Sequence, residues 1–168
     1  MSEPAPPEPT RADELLAILR DRGWTVGAAE SLTGGLVSSA IVEVPGASAA
    51  MRGGVVAYDT AIKASVLGVD ADLLARHGPV HPEVARQMAL GVRRVLTLGG
   101  RPAEVGISTT GIAGPSSPDG QPVGTVWVGV STPAGERAER HLLGGDRAEI
   151  RDASVRAAIA LAIDAIAE

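Results

Sequence analysis

Four short apolar segments, separated by longer segments of helical pattern, restrict the fold of this chain more than any other feature. They are WTVGAA at 24–29, GGVVAY at 53–58, EVGIST at 104–109 and GTVWVGVS at 124–131. The last two are almost continuously apolar, as expected of strands covered on both faces of a sheet. Strands interspersed with helices predict an α/β fold, a three-layer α/β/α sandwich. Because the last two strands follow one another without a helix between them, the sheet should be mixed and mostly parallel.

Helices are indicated where apolar residues recur at intervals of three and four. The predicted helices cover 11–22, 36–44, 59–67, 71–76, 82–98 and 146–167. Gly23 should end the first of them, and Asp59 or Thr60 should cap the third. A further strand at 137–142 is predicted to lie at an edge of the sheet. With 168 residues, 45% of them hydrophobic, the chain can bury one substantial core, and we expect a single domain at 11–168.

Composition also narrows the setting and the partners. Residues 1–10 hold four prolines and two glutamates and are predicted to be a disordered tail without a signal or transit peptide pattern. No segment approaches the roughly 18 apolar residues of a membrane span. A net charge of −5 argues against nucleic acid as a partner. The absence of cysteine excludes disulfides and favours a cytoplasmic location. The amphipathic helices at 82–98 and 146–167 are expected to support a homodimer.

One side chain stands out for its chemistry, because Lys63 is the only lysine among 15 basic residues. A lysine loses its proton near neutral pH when it is buried or crowded by positive charge, whereas an arginine does not. Lys63 is therefore a candidate general base. The alternative, an ordinary surface lysine, is equally consistent with its uniqueness alone.

Three loops follow predicted strands, at the edge where open α/β sheets gather their ligands. They are 30–35 (ESLTGG), 58–63 (YDTAIK) and 109–115 (TTGIAGP). In the first loop, free backbone N–H groups at a helix start would stabilise an anion, although Ser31 or Thr33 could simply cap that helix. Tyr58 either packs its ring against a helix, stacks on a heteroaromatic ring or passes a proton. Glycines in the third loop allow close approach to a ligand, or a plain tight turn.

The remaining polar residues offer weaker candidates. His77 and His81 are separated by Gly78-Pro79, which breaks any helix that would align them on a metal, and His141 stands alone. No metal site is therefore predicted. Arg147 and Arg151 lie four residues apart near a helix start, where they either clamp a phosphate or pair with neighbouring Asp146 and Glu149.

Several motifs, taken together, strongly resemble the CinA C-terminal-domain family in its stand-alone form. They are AAESLTGG at 28–35, PGASAAMRGGVVAYDTAIK at 45–63, GISTTGIAGP at 106–115, QPVGTVWVGV at 121–130 and GGDRAEIR at 144–151. The resemblance implies a nicotinamide-nucleotide amidohydrolase, which converts nicotinamide mononucleotide to nicotinate mononucleotide and ammonia. It also implies a Ser/Lys mechanism that needs no metal or other cofactor.

In that mechanism neutral Lys63 would accept the proton of a serine that attacks the carboxamide, and backbone N–H groups would hold the oxyanion. Ser31 and Ser48 both match serines of the family pattern, and Ser31 is favoured because a strand-to-helix turn exposes its hydroxyl. Arg52 is a candidate cation for lowering the pKa of Lys63, and Tyr58 joins the catalytic set. The predicted substrate-binding residues are Glu30, Thr33, Gly34, Gly35, Thr109, Thr110, Gly111, Arg147 and Arg151.

Two other functions stay open at this point. Family members can share the fold without the activity, so the chain could be a catalytically silent nucleotide-binding or interaction module. It could also be an amidase for a different carboxamide. Retention of Ser31, Ser48, Tyr58, Lys63 and Thr110 together favours the enzyme.

Overall fold

A computed structural model describes residues 10–118 and 120–168. The tail predicted at 1–10 therefore lies outside the described residues, apart from Thr10. The helices are α1 (Ala12–Arg22), α2 (Leu36–Val42), α3 (Thr60–Ser65), α4 (Ala71–His77), α5 (Pro82–Val95) and α6 (Arg147–Ala167). The strands are β1 (Val26–Glu30), β2 (Met51–Val56), β3 (Val105–Gly111), β4 (Thr125–Thr132) and β5 (Gly135–Leu142). A 3₁₀ turn at Ala47–Ala49 precedes β2.

The five strands form one mixed sheet in the order β2-β1-β3-β4-β5. Strands β2, β1 and β3 are parallel neighbours, whereas β4 is antiparallel to both β3 and β5. Four of the strands thus run in one direction, and the segment predicted as an edge strand is the edge strand β5. The parallel half brings the carboxyl ends of β1, β2 and β3 to one edge of the sheet.

Helices cover both faces of the sheet, which confirms the three-layer α/β/α sandwich. Helices α2 and α6 contact the sheet on one face, and α1 packs against both of them. Helix α5 covers the other face and contacts β1, β3, β4 and β5. Neighbouring residues of β1 show the alternation, because Ala28 belongs to the larger apolar cluster and Ala29 to the smaller one on the α5 side.

Small residues in the sheet let α5 approach it closely. A Cβ atom at Gly106 would collide with the carbonyl group of Ala89, and one at Gly129 would collide with that of Ala85. Ser108, the partner of Gly129 on the neighbouring strand, donates a hydrogen bond of 2.6 Å from its Oγ to the Ala85 carbonyl. At these two glycines the helix backbone therefore lies directly against the strands.

Local signals explain most element ends. Gly23 ends α1 in the left-handed conformation, the Asp59 side chain caps α3 by accepting from the Ala61 amide, and Asp146 caps α6 in a capping box with Glu149. Helix α5 ends at Val95 rather than at Leu98, because Leu98 forms a β-bridge with Arg101 around Gly99-Gly100.

Candidate active site

Ser31 and Lys63 meet at the carboxyl edge of the parallel strands. Ser31 directly follows β1, and Lys63 lies in α3, the helix after β2. The Lys63 Nζ atom is 3.0 Å from Ser31 Oγ, and it donates to the carbonyls of Ala57 at 2.7 Å and Tyr58 at 3.3 Å. When neutral, the amine can donate to both carbonyls and still offer its lone pair to the Ser31 hydroxyl. The arrangement therefore suits proton transfer from the serine.

The amine is poised to lose its proton because it is buried. Lys63 is 1% exposed and Ser31 is 8% exposed. Burial lowers the pKa of Lys63 from 10.5 to about 8, and the Asp59 carboxylate acts in the opposite direction. Arg52 is not the cause of this low pKa, contrary to prediction. Its guanidinium donates to the carbonyls of Leu96 at 2.8 Å and Arg101 at 2.6 Å, near the amino end of β2.

The turn that carries Ser31 is held by its backbone. The Ser31 amide donates to the Thr109 carbonyl at 3.1 Å and to Thr109 Oγ1 at 3.3 Å, and the Ser31 carbonyl accepts from the Gly34 amide at 3.1 Å. Within the described residues, the amides of Leu32 and Thr33 donate to no acceptor. The donor next to the serine that remains available to a bound group is thus the Leu32 amide, since Thr33 is fully buried.

A cavity of about 330 Å³ opens over this pair. Its walls come from the ends of β1 and β2, from the α4–α5 connection, from the chain that follows β3 and from the start of α6. The lining residues are Ser31, Leu32, Tyr58, Lys63, Pro79, Val80, Thr110, Gly111, Ile112, Ala113, Gly114, Ser116, Pro118 and Arg147. The volume suits a small organic ligand. Three of the predicted substrate-binding residues, Thr110, Gly111 and Arg147, line it, and so does Tyr58 of the predicted catalytic set.

Arg147 and Tyr58 stand together at the cavity. Arg147 Nη1 donates to the Gly114 carbonyl at 2.7 Å, and its Nη2 lies 3.4 Å from the Tyr58 hydroxyl. Asp146 and Glu149, offered as alternative partners of Arg147, instead bond to each other's backbone amides. Tyr58 is 62% exposed, so its ring does not pack into the core. Both side chains are therefore available to a ligand.

Arg151 has a different position from Arg147. Its Nε atom donates to the Leu32 carbonyl at 2.8 Å and its Nη2 to the Thr33 carbonyl at 3.3 Å, and it does not line the cavity. The two arginines consequently do not form the predicted clamp: Arg147 faces the cavity, and Arg151 braces the Ser31 turn from outside it.

The helix start at α2 does not offer the predicted anion site, because a carboxylate of the chain already occupies it. Glu30 is buried, and it accepts from the Val37 amide at 2.8 Å, from the Ser38 amide at 3.1 Å and from the Thr33 hydroxyl at 2.7 Å. Five residues predicted to bind substrate thus lie beneath or beside the cavity rather than in its wall, namely Glu30, Thr33, Gly34, Gly35 and Thr109.

The structure does not bring Ser48 to Lys63. Ser48 is exposed in the 3₁₀ turn before β2, whereas Lys63 follows β2. The strand between them is six residues long, which corresponds to about 20 Å. Ser48 lines a separate cavity with Glu43 and Arg52. Of the two candidate nucleophiles, only Ser31 lies within hydrogen-bonding distance of the amine.

Sequence reasoning missed the α4–α5 connection as part of the site. Pro79 and Val80 line the cavity, since the Pro79 carbonyl accepts from Thr110 Oγ1 at 2.7 Å and the Val80 carbonyl accepts from Gln121 Nε2 at 3.1 Å. The available signal was an apolar Pro79-Val80 pair in a connection between two helices.

His77 and His81 lie at the ends of the two helices that this connection joins. The rings of His77 and His81 stack with centroids 4.8 Å apart, and His81 Nδ1 accepts from the Glu83 amide at the start of α5.

In the described part of the chain, no cluster of three or more His, Cys, Asp or Glu side chains could hold a metal ion. Over the same residues, no helix has both the length and the apolar character to cross a membrane.

Comparison with known proteins points to one family. The CinA C-terminal domain matches residues 9–166. A CinA-like protein from Frankia casuarinae is 46% identical over 147 residues, which are 88% of this chain and 33% of that protein. A putative competence-damage inducible protein from Desulforamulus reducens is 43% identical over 86% of this chain and 34% of its own length. The chain spans about a third of the length of these relatives.

Solved structures share the architecture over almost the whole chain. The competence/damage inducible protein CihA from Agrobacterium tumefaciens has a TM-score of 0.87 and is 32% identical, with 100% of both chains covered. A competence-damaged protein (CinA) superfamily protein from Klebsiella pneumoniae has a TM-score of 0.85 at 32% identity, covering 95% of this chain and 98% of its own.

Proposed function

This chain belongs to the CinA C-terminal domain family, and on that premise we propose that it hydrolyses the carboxamide of nicotinamide mononucleotide. The products would be nicotinate mononucleotide and ammonia. One observation carries the proposal: a buried lysine with a pKa lowered to about 8 lies 3.0 Å from a serine hydroxyl at the edge of a ligand-sized cavity. Such a pair supplies a nucleophile and its base without a metal.

The reaction we propose proceeds through an acyl-enzyme. Neutral Lys63 takes the Ser31 proton as Oγ forms a bond to the carboxamide carbon. The amide of Leu32, next to Ser31, would donate to the developing oxyanion, since the residue after a nucleophilic serine commonly supplies such a donor. The C–N bond then breaks, and the lysine returns the proton to the departing ammonia. Water, deprotonated by Lys63, hydrolyses the ester and frees Ser31.

The remaining cavity residues fit a small nucleotide as substrate. Arg147 would receive the phosphate, since only one of its terminal nitrogens is fixed by a close bond, the one to the Gly114 carbonyl. The exposed ring of Tyr58 would stack on the pyridine. Ile112, Ala113 and Val80 provide apolar walls.

The test is to incubate the purified protein with nicotinamide mononucleotide in the presence of EDTA and to quantify ammonia and nicotinate mononucleotide. We expect both products in equal amounts. Ser31→Ala should abolish them, whereas Ser48→Ala is the matched control and should retain wild-type turnover.

Other results would redirect the assignment. Saturable binding of the nucleotide without product would identify a silent binding module. Release of ammonia only from other carboxamides would keep the amidase and change its substrate. Loss of activity in Ser48→Ala with retention in Ser31→Ala would contradict the nucleophile.

A further inference from the structure

We propose that Glu30, Thr33 and Thr109 form a positioning chain that fixes the Ser31 nucleophile from beneath the cavity. All three side chains are buried, and none lines the cavity, so they act on the reaction only through Ser31. The inference rests on the proposed function in one respect, that Ser31 is the nucleophile.

The hydrogen bonds of this chain have one direction. Glu30 Oε1 accepts from Thr33 Oγ1 at 2.7 Å, and this bond uses the single hydrogen of the Thr33 hydroxyl. The hydrogen in the 2.8 Å contact between Thr33 Oγ1 and Thr109 Oγ1 must therefore come from Thr109. Thr109 Oγ1 is then left as an acceptor, and it receives the Ser31 amide at 3.3 Å. The carboxylate thus orients each hydroxyl in turn as far as the nucleophile's backbone.

Glu30 has the donors to act as the fixed end of this chain. Besides Thr33 it accepts from the amides of Val37 and Ser38 at the start of α2 and from Ser38 Oγ at 2.8 Å. Four donors converge on one buried side chain, and two of them are backbone amides that cannot reverse their direction. The position of the Glu30 carboxylate is therefore set by α2. Through its hydrogen bond to Thr33, the carboxylate in turn fixes the side chains that hold the Ser31 turn.

Positioning matters here because the two halves of the reactive pair are held separately. Lys63 is anchored to the carbonyls of Ala57 and Tyr58 after β2. Ser31 is anchored to Thr109 in β3. The distance from Nζ to Oγ consequently depends on how firmly each anchor holds, and misplacement of reacting groups by about 1 Å can cost roughly 100-fold in rate.

Thr33→Val separates positioning from helix capping. The substitution keeps the side-chain shape and removes the hydroxyl that links Glu30 to Thr109, while the bonds from Glu30 to the α2 amides stay. Ser38→Ala is the matched control, because it also removes one hydroxyl from the Glu30 carboxylate but lies off the path to Ser31. Thr33→Ser restores the hydroxyl and is the rescue variant.

Two readouts on the folded proteins test the chain. With nicotinamide mononucleotide we expect Thr33→Val to lower kcat by about tenfold or more with KM within about twofold, and Thr33→Ser and Ser38→Ala to stay near wild type. The second readout is the rate at which a fluorophosphonate phosphonylates Ser31: Oγ bonds to phosphorus, the P–F bond breaks to release fluoride, and the serine proton passes to Lys63. It should fall in parallel with kcat. If Thr33→Val folds poorly, Thr109→Val breaks the next link and should behave in the same way.

The two readouts distinguish the failure of each proposal. Labelling of Ser31 that slows in Thr33→Val, without hydrolysis of the nucleotide by the wild type, would overturn the proposed substrate and support the positioning chain. Equal labelling and kcat in Thr33→Val and wild type would overturn the chain and leave the function intact. If Ser38→Ala loses as much kcat and labelling rate as Thr33→Val, the positioning chain is overturned, because the hydroxyls then act only by supporting α2. If the wild type is neither labelled nor active, the proposed function and the positioning chain are both overturned.

Discussion

Each end of strand β2 has a serine and a basic residue, but in different surroundings. At the carboxyl end, Ser31 and Lys63 are buried and lie within hydrogen-bonding distance of each other. At the amino end, Ser48 is exposed and Arg52 is bound to two backbone carbonyls. Each end has a cavity. The two ends thus share a serine, a cation and a cavity, and they differ in the burial of an amine that can lose its proton; the function that we propose depends on that difference.

The largest expected effect separates the two cations. Lys63→Arg keeps a positive charge but removes basicity near pH 7, so kcat/KM should fall by about 10³-fold, within the range that general acid–base groups contribute. Arg52→Lys at the other end is the matched exchange and should leave kcat/KM of the folded protein unchanged. Steady-state kinetics, with circular dichroism to verify folding, measure both. If Lys63→Arg kept wild-type turnover, Lys63 would not be the general base, and the two ends of β2 would no longer differ in reactivity.

The next effect concerns stability, because burial of the charged amine has a cost. Between pH 8 and 10.5 the unfolded chain keeps a proton on Lys63 that the folded protein has lost. Stability contributed by this group therefore rises with pH across that window. Relative to Lys63→Met, the free energy of unfolding of the wild type should increase by about 3 kcal/mol from below pH 8 to above pH 10.5.

Urea denaturation of both proteins over this pH range provides the measurement, and the difference between them cancels groups that they share. Arg52→Met is the control at the other end of β2 and should show no such pH-dependent difference. If the difference in free energy of unfolding between wild type and Lys63→Met does not change with pH, the amine is not desolvated in the folded protein.

The smallest effect is a shift of the pH profile. Below pH 8, kcat/KM should rise about tenfold per pH unit as Lys63 loses its proton, and it should level off above that pH. Asp59→Asn removes the carboxylate that raises the pKa of Lys63, so the midpoint should move to lower pH.

Asn retains the capping oxygen at position 59, and Asp70→Asn makes the same change at the cap of α4, away from the amine. The midpoint should not move in that control. A shift of equal size in both variants would assign the effect to helix capping rather than to charge near Lys63.

Much of this arrangement could be predicted from the sequence, because it depends on local pattern. The strands at the site were predicted within about two residues of their positions, and the loops after β1, β2 and β3 all reach the cavity. Lys63 stood out as the only lysine and Ser31 by its place after a strand, and the family resemblance joined them as a pair. Even the position of Ser48 was accessible: it precedes the predicted strand at 53–58 whereas Lys63 follows it, so the length of a strand separates them.

The remainder depended on side-chain conformation and long-range contact. Glu30 was expected to help bind substrate beside a vacant helix start, and only its rotamer shows that it turns back to fill that start itself. The Pro79-Val80 connection contacts Thr110 across 31 residues of chain, and no local pattern specifies that contact. Arg147 and Arg151 have the spacing of a clamp, but the turn at Leu32 and Thr33 engages one of them.

The close contact of α5 with the strands at Gly106 and Gly129 limits how this protein can vary. Growth by a single methyl group at Gly106 or Gly129 would lift the helix off the sheet, and the amino end of α5 begins two residues after Val80 in the cavity wall. Substitutions where α5 contacts the strands should therefore disturb ligand binding from a distance. In a random library, surviving variants should avoid these contacts and accumulate on the solvent-facing side of α6 and along β5.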